Sequence, residues 1–535
     1  MQDAAPRHFD AIVVGAGFAG LYALHRLRGA GLKVRLLEAG EGIGGTWFWN
    51  RYPGARCDIE SMQYSYSFSE EVQQEWRWSE IFAPQPEILR YINYVADKFD
   101  LHRDIQLNTR VTSVVYDEEE KLWRIATEQN ETFVAQFCVL ATGCLSTPLE
   151  PDIPGLRDFA GPVYRSSRWP NEPVDFSGKR VGQIGTGSSG IQLAPAIAAT
   201  AKHLHVFQRT ANYIIPSHNR PMDDDYEREW KTNYRQRRQA ALKTRNFGFT
   251  VKPAVPGEPL SPQQRHEILE DRWKMGGLSF MHSFSDVMTS ETVNDQVSQF
   301  VRDKIAALVD DPKVADALTP KDHGIAGKRL CVDAHYYEAF NRDNVTLVDL
   351  RADPVVRFEK DGVRLKSGFV PLDMLVLATG FDAITGSMLA INPVGVGGET
   401  LRQHWAEGPR TYMGMIASGF PNLFMATGPG SSAFLTAFVT SVERHVDWIV
   451  ECIEHIKASG HAAIDARRDA EEEWFQHMVE TGARTVMGRT KSWFLGHNVP
   501  GKPKVMMVYL GGAVQFWEKL TDVTRDGYRG FVFVD

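Results

Sequence analysis

The stretch FDAIVVGAGFAGLYALHRLRGAGLKVRLLE, residues 9–38, decides the fold of this chain. A short apolar strand leads into a glycine-rich loop, a helical pattern and a second strand, which is the β-loop-α-β context that a G-x-G-x-x-G dinucleotide loop requires. Gly15 permits the tight turn, Gly17 lets the backbone approach a pyrophosphate, and Gly20 lets the helix pack against the strand. Glu38 ends the second strand, where a carboxylate accepts hydrogen bonds from both hydroxyls of a ribose. The first unit is therefore predicted to bind FAD.

A second unit of the same kind lies further along the chain, in KRVGQIGTGSSGIQLAPAIAATA (179–201) followed by HLHVF (203–207). Its predicted nucleotide-loop residues are Gly185, Thr186, Gly187, Ser188 and Gly190. The position that senses the ribose is not acidic here but holds Arg209 and Thr210, which favour a 2′-phosphate, although Arg209 could also be a surface charge at a strand end. The second unit is therefore predicted to bind NADPH.

Two buried-type strands repeat each other, FCVLATG (137–143) and MLVLATG (374–380), and each is predicted to close one nucleotide-binding lobe. The sequence thus predicts an α/β fold with two Rossmann-like dinucleotide-binding domains and a helical insertion in the NADPH domain. The predicted boundaries are 1–143 with 381–535 for the FAD domain, 144–215 with 326–380 for the NADPH domain, and 216–325 for the insertion.

Composition, charge and cysteine spacing argue against several classes of function. The 535 residues carry a net charge of −8, which argues against nucleic-acid binding. A polar N-terminus and the absence of a long apolar run predict a cytoplasmic protein without a membrane span. The five cysteines form no C-x-x-C and His203 and His205 alternate along a strand, so free thiols and no metal site are expected. A disulfide reductase is disfavoured, which leaves oxygen or a diffusible compound to receive the electrons. No clear dimer helix is seen, so a monomer or weak dimer is expected.

Two further segments carry a family resemblance. GGTWFWNRYPGARCD (44–58) and FAGPVYRSSRWP (159–170) resemble the two signatures of the type I Baeyer–Villiger monooxygenases, such as cyclohexanone, phenylacetone and steroid monooxygenases. The first segment implies that Trp47 binds a cofactor. The second is interpreted as a bend between the lobes with Trp169 as its anchor, in which Arg165 stands where the family has a histidine.

The resemblance implies an activity and a set of residues. NADPH would reduce FAD, oxygen would add to give a C4a-peroxyflavin, and a ketone would gain one oxygen atom to become an ester or lactone. Arg329 would stabilise the anionic species, with Asp58 orienting it. Lys328 would contact the NADPH phosphate and Trp493 would close over the nicotinamide nucleotide. The remaining implied residues are those of the substrate pocket: Phe434, Leu435 and Met281.

Several alternatives stay open from the sequence. A flavin monooxygenase that oxidises sulfur or nitrogen would share both nucleotide sites. An uncoupled NADPH oxidase would release peroxide, and a non-catalytic scaffold would only bind the nucleotides. Arg165 either is a tolerated replacement in a hinge or impairs an enzyme that needs a proton-exchanging histidine, because arginine does not titrate near neutral pH.

Overall fold

The computed structural model describes residues 5–248, 254–333 and 335–535. Within these ranges, no helix is both long enough and apolar enough to cross a membrane.

The strands form two main sheets and three smaller ones. In chain order they are β1 (Arg7–Val14), β2 (Val34–Leu37), β3 (Ile105–Gln106), β4 (Val111–Asp117), β5 (Leu122–Thr127), β6 (Thr132–Leu140), β7 (Val163–Arg165), β8 (Arg180–Ile184), β9 (His203–Gln208), β10 (Ile214–Pro216), β11 (Cys331–Asp333), β12 (Val345–Asp349), β13 (Val355–Glu359), β14 (Gly362–Leu365), β15 (Phe369–Pro371), β16 (Met374–Leu377), β17 (Leu423–Met425), β18 (Ala463–Ala466) and β19 (Phe531–Val534).

The helices surround these sheets. They are α1 (Phe18–Gly29), α2 (Thr46–Trp49), α3 (Glu70–Glu75), α4 (Gln85–Lys98), α5 (Ser188–Ala198), α6 (Asp224–Ala241), α7 (Pro262–Met275), α8 (Glu291–Leu308), α9 (Pro312–Leu318), α10 (Gly386–Ile391), α11 (Leu401–His404), α12 (Phe438–Ser459), α13 (Arg468–Ala483), α14 (Val486–Arg489) and α15 (Ala513–Arg525). Short 3₁₀ helices cover His102–Asp104, Leu156–Asp158, Leu278–His282, Glu338–Asn341, Val396–Gly398, Ala433–Leu435 and Trp493–Leu495.

The first main sheet has the order β3-β2-β1-β6-β5-β4, with β17 beside β6. Strands β2, β1, β6 and β17 run parallel, whereas β4 and β5 form an antiparallel extension beside β6. Helix α1 buries Leu21, Leu24 and Leu27 and packs against α12. The glycine loop at 15–20 therefore lies at the carboxyl end of β1, where parallel sheets bind ligands.

The second main sheet has the order β12-β9-β8-β16-β7, with every neighbouring pair parallel. The loop at 185–190 leaves the carboxyl end of β8 and enters α5. The predicted α/β class with two Rossmann-like units is confirmed. One local interpretation needs correction: the 159–170 stretch contains the plain strand β7, because Val163–Arg165 adds to the edge of β16.

Between the lobes' strands, the 216–325 segment contains helices α6 to α9. Their apolar faces belong to two different cores. Trp230 and Tyr234 of α6 pack with the core around α1, whereas Leu269 of α7 and Val297 of α8 pack with the core around α5. The insertion thus contacts both main sheets. The domain boundaries given above stay a prediction.

Candidate active site

Both glycine loops press against the strand that was predicted to close their lobe. A Cβ added to Gly15 would lie 2.7 Å from the carbonyl oxygen of Ala141, and one added to Gly185 would lie 2.2 Å from that of Ala378. Both glycines have positive φ angles, +103° and +109° respectively. Since a side chain is excluded by space and by backbone conformation, glycine is required at both turns. The two alanines open the two Ala-Thr-Gly repeats.

The remaining loop glycines allow close backbone packing and leave room for a phosphate at each loop. A Cβ on Gly20 would meet the Gly15 carbonyl oxygen at 1.7 Å, and one on Gly190 would meet that of Gly185 at 2.1 Å. Among the described residues, no atom outside its immediate neighbours lies within 4 Å of a Cβ on Gly187. Neither α1 nor α5 has a side-chain cap, so their first backbone N–H groups can bind an anion. These features fit a dinucleotide at each loop.

Glu38 lies where a ribose is expected. Its carboxylate is 5% exposed and accepts hydrogen bonds from the backbone N–H of Ala16 at 2.6 Å and of Gly40 at 2.7 Å. Burial raises the pKa of this carboxyl, opposed by these backbone bonds. Each oxygen uses one acceptor position on the backbone and keeps another for a hydroxyl. The geometry suits the unphosphorylated ribose of FAD.

Trp47 lies close to this first loop. Its indole N–H donates to the hydroxyl of Tyr64 at 3.1 Å, and the side chain is 8% exposed. The preceding Gly45 faces the first loop directly, because a Cβ there would lie 2.9 Å from Cα of Gly17. Trp47 therefore lies two positions after a glycine that packs against the first loop, and its contact with the cofactor stays a prediction.

Several positively charged side chains lie near the second glycine loop. Arg209 is exposed just beyond β9, Thr186 donates to the carbonyl of Thr210 at 3.1 Å, and Lys328 is half-buried. Burial lowers the pKa of Lys328, and the nearby cations Arg351 and Arg209 lower it further. Such a cluster suits the 2′-phosphate of NADPH.

Arg351 is a member of this cluster that sequence reasoning missed. Its guanidinium donates to Thr210 Oγ1 at 3.3 Å and to Asp322 Oδ2 at 2.7 Å. The strand pairing explains its position. Strand β12 runs parallel to β9 with Asp349 opposite Gln208, so Arg351 and Thr210 each lie two residues beyond this pair at the same end of the sheet.

Arg329 and Asp58 form an ion pair, although 271 positions separate them. Arg329 Nη2 lies 2.5 Å from Asp58 Oδ2, and the side chains are 32% and 20% exposed. The carboxylate of Asp58 is the main cause that raises the pKa of Arg329, against the lowering effect of burial. Arg329 therefore supplies a permanent guanidinium, which Asp58 orients, in a partly buried site.

An apolar cluster brings together several predicted pocket residues. Phe434 and Leu435 pack with Trp493 and with Leu145, which follows the first Ala-Thr-Gly repeat. Met281 instead packs in the core around α5, and its place in the pocket stays a prediction. Met288 contacts both clusters, so it is the insertion's methionine that reaches Phe434's neighbours.

Three buried serine hydroxyls lie close in sequence to the predicted residues Phe434 and Trp493. In the part of the chain that the structure describes, the Oγ atoms of Ser431, Ser432 and Ser492 are buried with no hydrogen-bond partner. Burying a hydroxyl without a partner is costly, so such groups normally have one. Ser431 and Ser432 come three and two positions before Phe434, and Ser492 comes directly before Trp493. The segment SSAFL (431–435) was predicted to belong to the pocket, but none of the three hydroxyls was singled out, because a sequence does not report burial.

The predicted hinge is closely packed on one side and charged on the other. Trp169 is 7% exposed, and its ring lies 5.5 Å from that of Tyr164 and 6.3 Å from that of Phe176. Arg165 forms a two-pronged ion pair with Glu150, at 2.8 and 2.7 Å. Arg165 therefore joins the chain that leaves the first lobe to the strand that enters the second.

Two dinucleotide loops, the Arg329–Asp58 ion pair and an apolar cluster that includes Trp493 define a two-nucleotide flavoprotein oxidoreductase. A family model described as pyridine nucleotide-disulphide oxidoreductase matches residues 12–249. Among solved structures, an oxidised steroid monooxygenase bound to NADP is similar with a TM-score of 0.94 and 47% identity, covering 98% of this chain and 99% of that one.

Relatives of known activity match over the whole length. A Baeyer-Villiger monooxygenase of Pseudooceanicola batsensis is 42% identical, covering 98% of this chain and 96% of the relative. The acetone monooxygenase (methyl acetate-forming) of Gordonia sp. is 40% identical over 98% of both chains. Phenazine N-monooxygenase PhzNO1 of Lysobacter antibioticus is 39% identical, covering 99% and 98%. The chain therefore belongs to the Baeyer–Villiger monooxygenase family of FAD- and NADPH-dependent flavoproteins.

Proposed function

We propose that this enzyme oxygenates compact or flat ketones to esters or lactones at a site built around Arg329 and Asp58. The observation that carries the proposal is their partly buried ion pair at 2.5 Å. A positive charge held in this way can stabilise an oxyanion, and in a site shielded from water that stabilisation is larger than in solution.

The two cofactors are assigned to the two glycine loops. FAD is assigned to the lobe of 1–143 and 381–535, with Glu38 on its ribose and Trp47 beside it. NADPH is assigned to the lobe of 144–215 and 326–380, with Arg209, Thr210 and Lys328 on its 2′-phosphate. When bound, FAD reduced by NADPH activates O₂ and supplies the oxygen atom that enters the ketone.

Arg329 is proposed to bind the substrate's carbonyl oxygen. As the carbonyl carbon is attacked, this oxygen becomes an oxyanion, and the guanidinium can donate hydrogen bonds to it. Arginine keeps its proton throughout, so the charge does not depend on pH. Asp58 is proposed to hold the guanidinium in this orientation and to balance its charge between turnovers. Trp493 is proposed to cover the nicotinamide nucleotide.

Phe434 is proposed to limit the size of the substrate. The ring of Phe434 is 6% exposed and fills space beside Leu435. Since a large ring leaves less room than a small side chain, compact or flat ketones are favoured. Met281 is also proposed to line the pocket. Met288 is proposed to do the same, because it contacts the cluster of Phe434.

A second activity is oxidation at nitrogen or sulfur. The 39% identical phenazine N-monooxygenase favours it, because that relative matches along the same length. A soft heteroatom needs no oxyanion stabilisation, so we expect this activity to depend less on Arg329 than ketone oxidation does.

We also propose that the enzyme works in the cytoplasm as a monomer or weak dimer. Cys57, Cys138, Cys144, Cys331 and Cys452 are all free thiols in the structure, which suits a reducing compartment. Light scattering on the purified holoenzyme at several concentrations tests the oligomeric part, and a stable tetramer would contradict it.

The direct test is a substrate panel. Purified enzyme with FAD, NADPH and oxygen is incubated with cyclic, aryl and linear ketones and with a thioether, while NADPH, peroxide and products are measured in the same tubes. We expect ester or lactone in step with NADPH loss. NADPH converted fully to peroxide with every ketone would contradict the proposal.

The variant Arg329→Ala separates the two activities in the same panel. We expect ketone oxidation to be lost to a greater extent than thioether oxidation. Equal loss of both would mean that Arg329 acts on a step common to them and would count against its proposed contact with the carbonyl oxygen.

A further inference from the structure

The segment that leads to Asp58 is docked on the nucleotide helix α5 of the other lobe. The hydroxyl of Tyr52 donates to Gln192 Oε1 at 2.9 Å, and Gln192 Nε2 donates to the carbonyl of Arg56 at 3.2 Å. Tyr52 and Gln192 are 8% and 7% exposed. Gly54 has a φ of +82°, and a Cβ there would lie 2.6 Å from the carbonyl oxygen of Gln192. Two side-chain hydrogen bonds and one close backbone contact thus fix this segment on α5.

The same segment is held on its opposite side by the first lobe. The backbone N–H of Gln85 donates to the carbonyl of Ala55 at 2.9 Å, and that of Cys57 donates to the carbonyl of Ala83 at 3.1 Å. Asp58 follows immediately. A segment fixed by contacts with both lobes has little freedom of its own, so a shift of α5 against the first lobe would strain the backbone that positions Asp58.

Helix α5 also contacts the segment that follows Arg329, the other member of the ion pair. Its first residue, Ser188, lies with Oγ 3.5 Å from Sγ of Cys331, and Asn212 Nδ2 donates to the same sulfur at 3.4 Å. Cys331 lies two positions after Arg329 and is 2% exposed. The helix that starts at the GTGSSG loop therefore contacts both the segment leading to Asp58 and the segment leading from Arg329.

From these contacts we infer that Tyr52 and Gln192 are positioning residues, which couple nucleotide binding at the GTGSSG loop to the geometry of the Asp58–Arg329 pair. The inference rests on the proposed function, because it takes NADPH to bind at that loop. A catalytic group that is misplaced by about 1 Å can lose about 100-fold in rate. Losing the coupling is therefore expected to reduce the fraction of NADPH that leads to product rather than to peroxide.

A double-mutant cycle tests the inference. Tyr52→Phe removes one hydroxyl and keeps the ring, and Gln192→Met keeps the length of the side chain but removes both polar groups. We expect each variant to lower product formed per NADPH by about fivefold, and the double variant to be no worse than the worse single one, because interacting residues are not additive. The rate of flavin reduction at saturating NADPH, followed by flavin absorbance without oxygen, should change less than about twofold, because the reduction step does not use the pair.

A matched control accounts for the lost buried hydrogen bond. Tyr412 is also 8% exposed, and its hydroxyl donates to the carbonyl of Arg529 at 3.0 Å. Tyr412→Phe should leave product per NADPH unchanged. Additive effects of Tyr52→Phe and Gln192→Met, or equal losses in Tyr412→Phe, would overturn the inference.

A second measurement does not depend on ketone oxidation. Hydrogen exchange of peptides covering 52–58 is followed in the FAD-bound enzyme with and without NADP⁺. We expect NADP⁺ to slow exchange in the wild type and to have little effect in Gln192→Met, while peptides of the GTGSSG loop are protected in both. Absence of protection at 52–58 in the wild type, with the loop protected, would overturn the inference even if the enzyme makes ester.

Discussion

Replacing Asp58 by asparagine keeps the shape of the side chain and removes its charge. Two unit charges about 4 Å apart interact by about 4 kcal/mol at an effective dielectric constant of about 20. The side chains of Arg329 and Asp58 are 32% and 20% exposed, so water screens part of this attraction. We therefore expect Asp58→Asn to lower the free energy of unfolding by about 1–2 kcal/mol, between the values for exposed and buried pairs.

The effect on activity should be larger than the effect on stability. Removing one oriented donor to an oxyanion costs about 100- to 1000-fold in kcat. Asp58→Asn leaves the donor in place but unoriented, so we expect a loss of about 10- to 100-fold in ester formation. The assay compares ester formation at saturating ketone and NADPH with the urea midpoint of the FAD-saturated protein. Asp117→Asn is the control, since Asp117 forms a surface ion pair with Arg124 at 2.8 Å. Full ester formation by Asp58→Asn would refute the proposed role of the pair.

Three further changes give distinct readouts. Arg209→Glu should lower kcat/KM for NADPH by about 30- to 150-fold and spare NADH, because charge-assisted bonds to the 2′-phosphate are lost; equal losses with both cofactors would contradict the assignment. Arg165→His removes an ion pair with Glu150 whose side chains are 37% and 64% exposed. The free energy of unfolding should therefore change by less than about 1 kcal/mol. A rise in product formed per NADPH would show that the arginine impairs the hinge, and an unchanged ratio would show that the arginine is tolerated. Burial lowers the pKa of His445 to about 3, so the unfolded chain alone takes up this proton as pH falls below about 6.5, which costs about 1.4 kcal/mol per pH unit. The variant His445→Phe should therefore lose less stability than wild type between pH 6.5 and 4.5, and parallel curves would contradict this.

Local sequence patterns predicted those parts of the site that are made by neighbouring residues. The turn at Gly15 and the turn at Gly185 need positive φ angles, and the G-x-G-x-x-G spacing reports this requirement directly. The predicted strand and helix of the second unit lie at β8 and α5, within a few residues of the expected bounds. Glu38 and Arg209 were selected because each follows a strand at a fixed distance from its loop, and their contacts with the two cofactors stay predictions.

Contacts between distant segments could not be read from such patterns. Arg351 joins the cation cluster only because β12 pairs with β9, and Met288 reaches the cluster of Phe434 through the fold of the insertion. The ion pair of Arg165 with Glu150 likewise depends on how the segment that contains Glu150 packs beside strand β7. The Asp58–Arg329 pair came from the family resemblance rather than from spacing, since 271 positions separate its members.

The most direct test of the central claim is the fate of labelled oxygen. Purified enzyme, NADPH and a ketone that is turned over are incubated under ¹⁸O₂, and the product is analysed by mass spectrometry together with NADPH loss. We predict an ester or lactone with a single ¹⁸O atom at the bridging position and one NADPH consumed per product. Unlabelled ketone with all ¹⁸O recovered as peroxide would contradict the account.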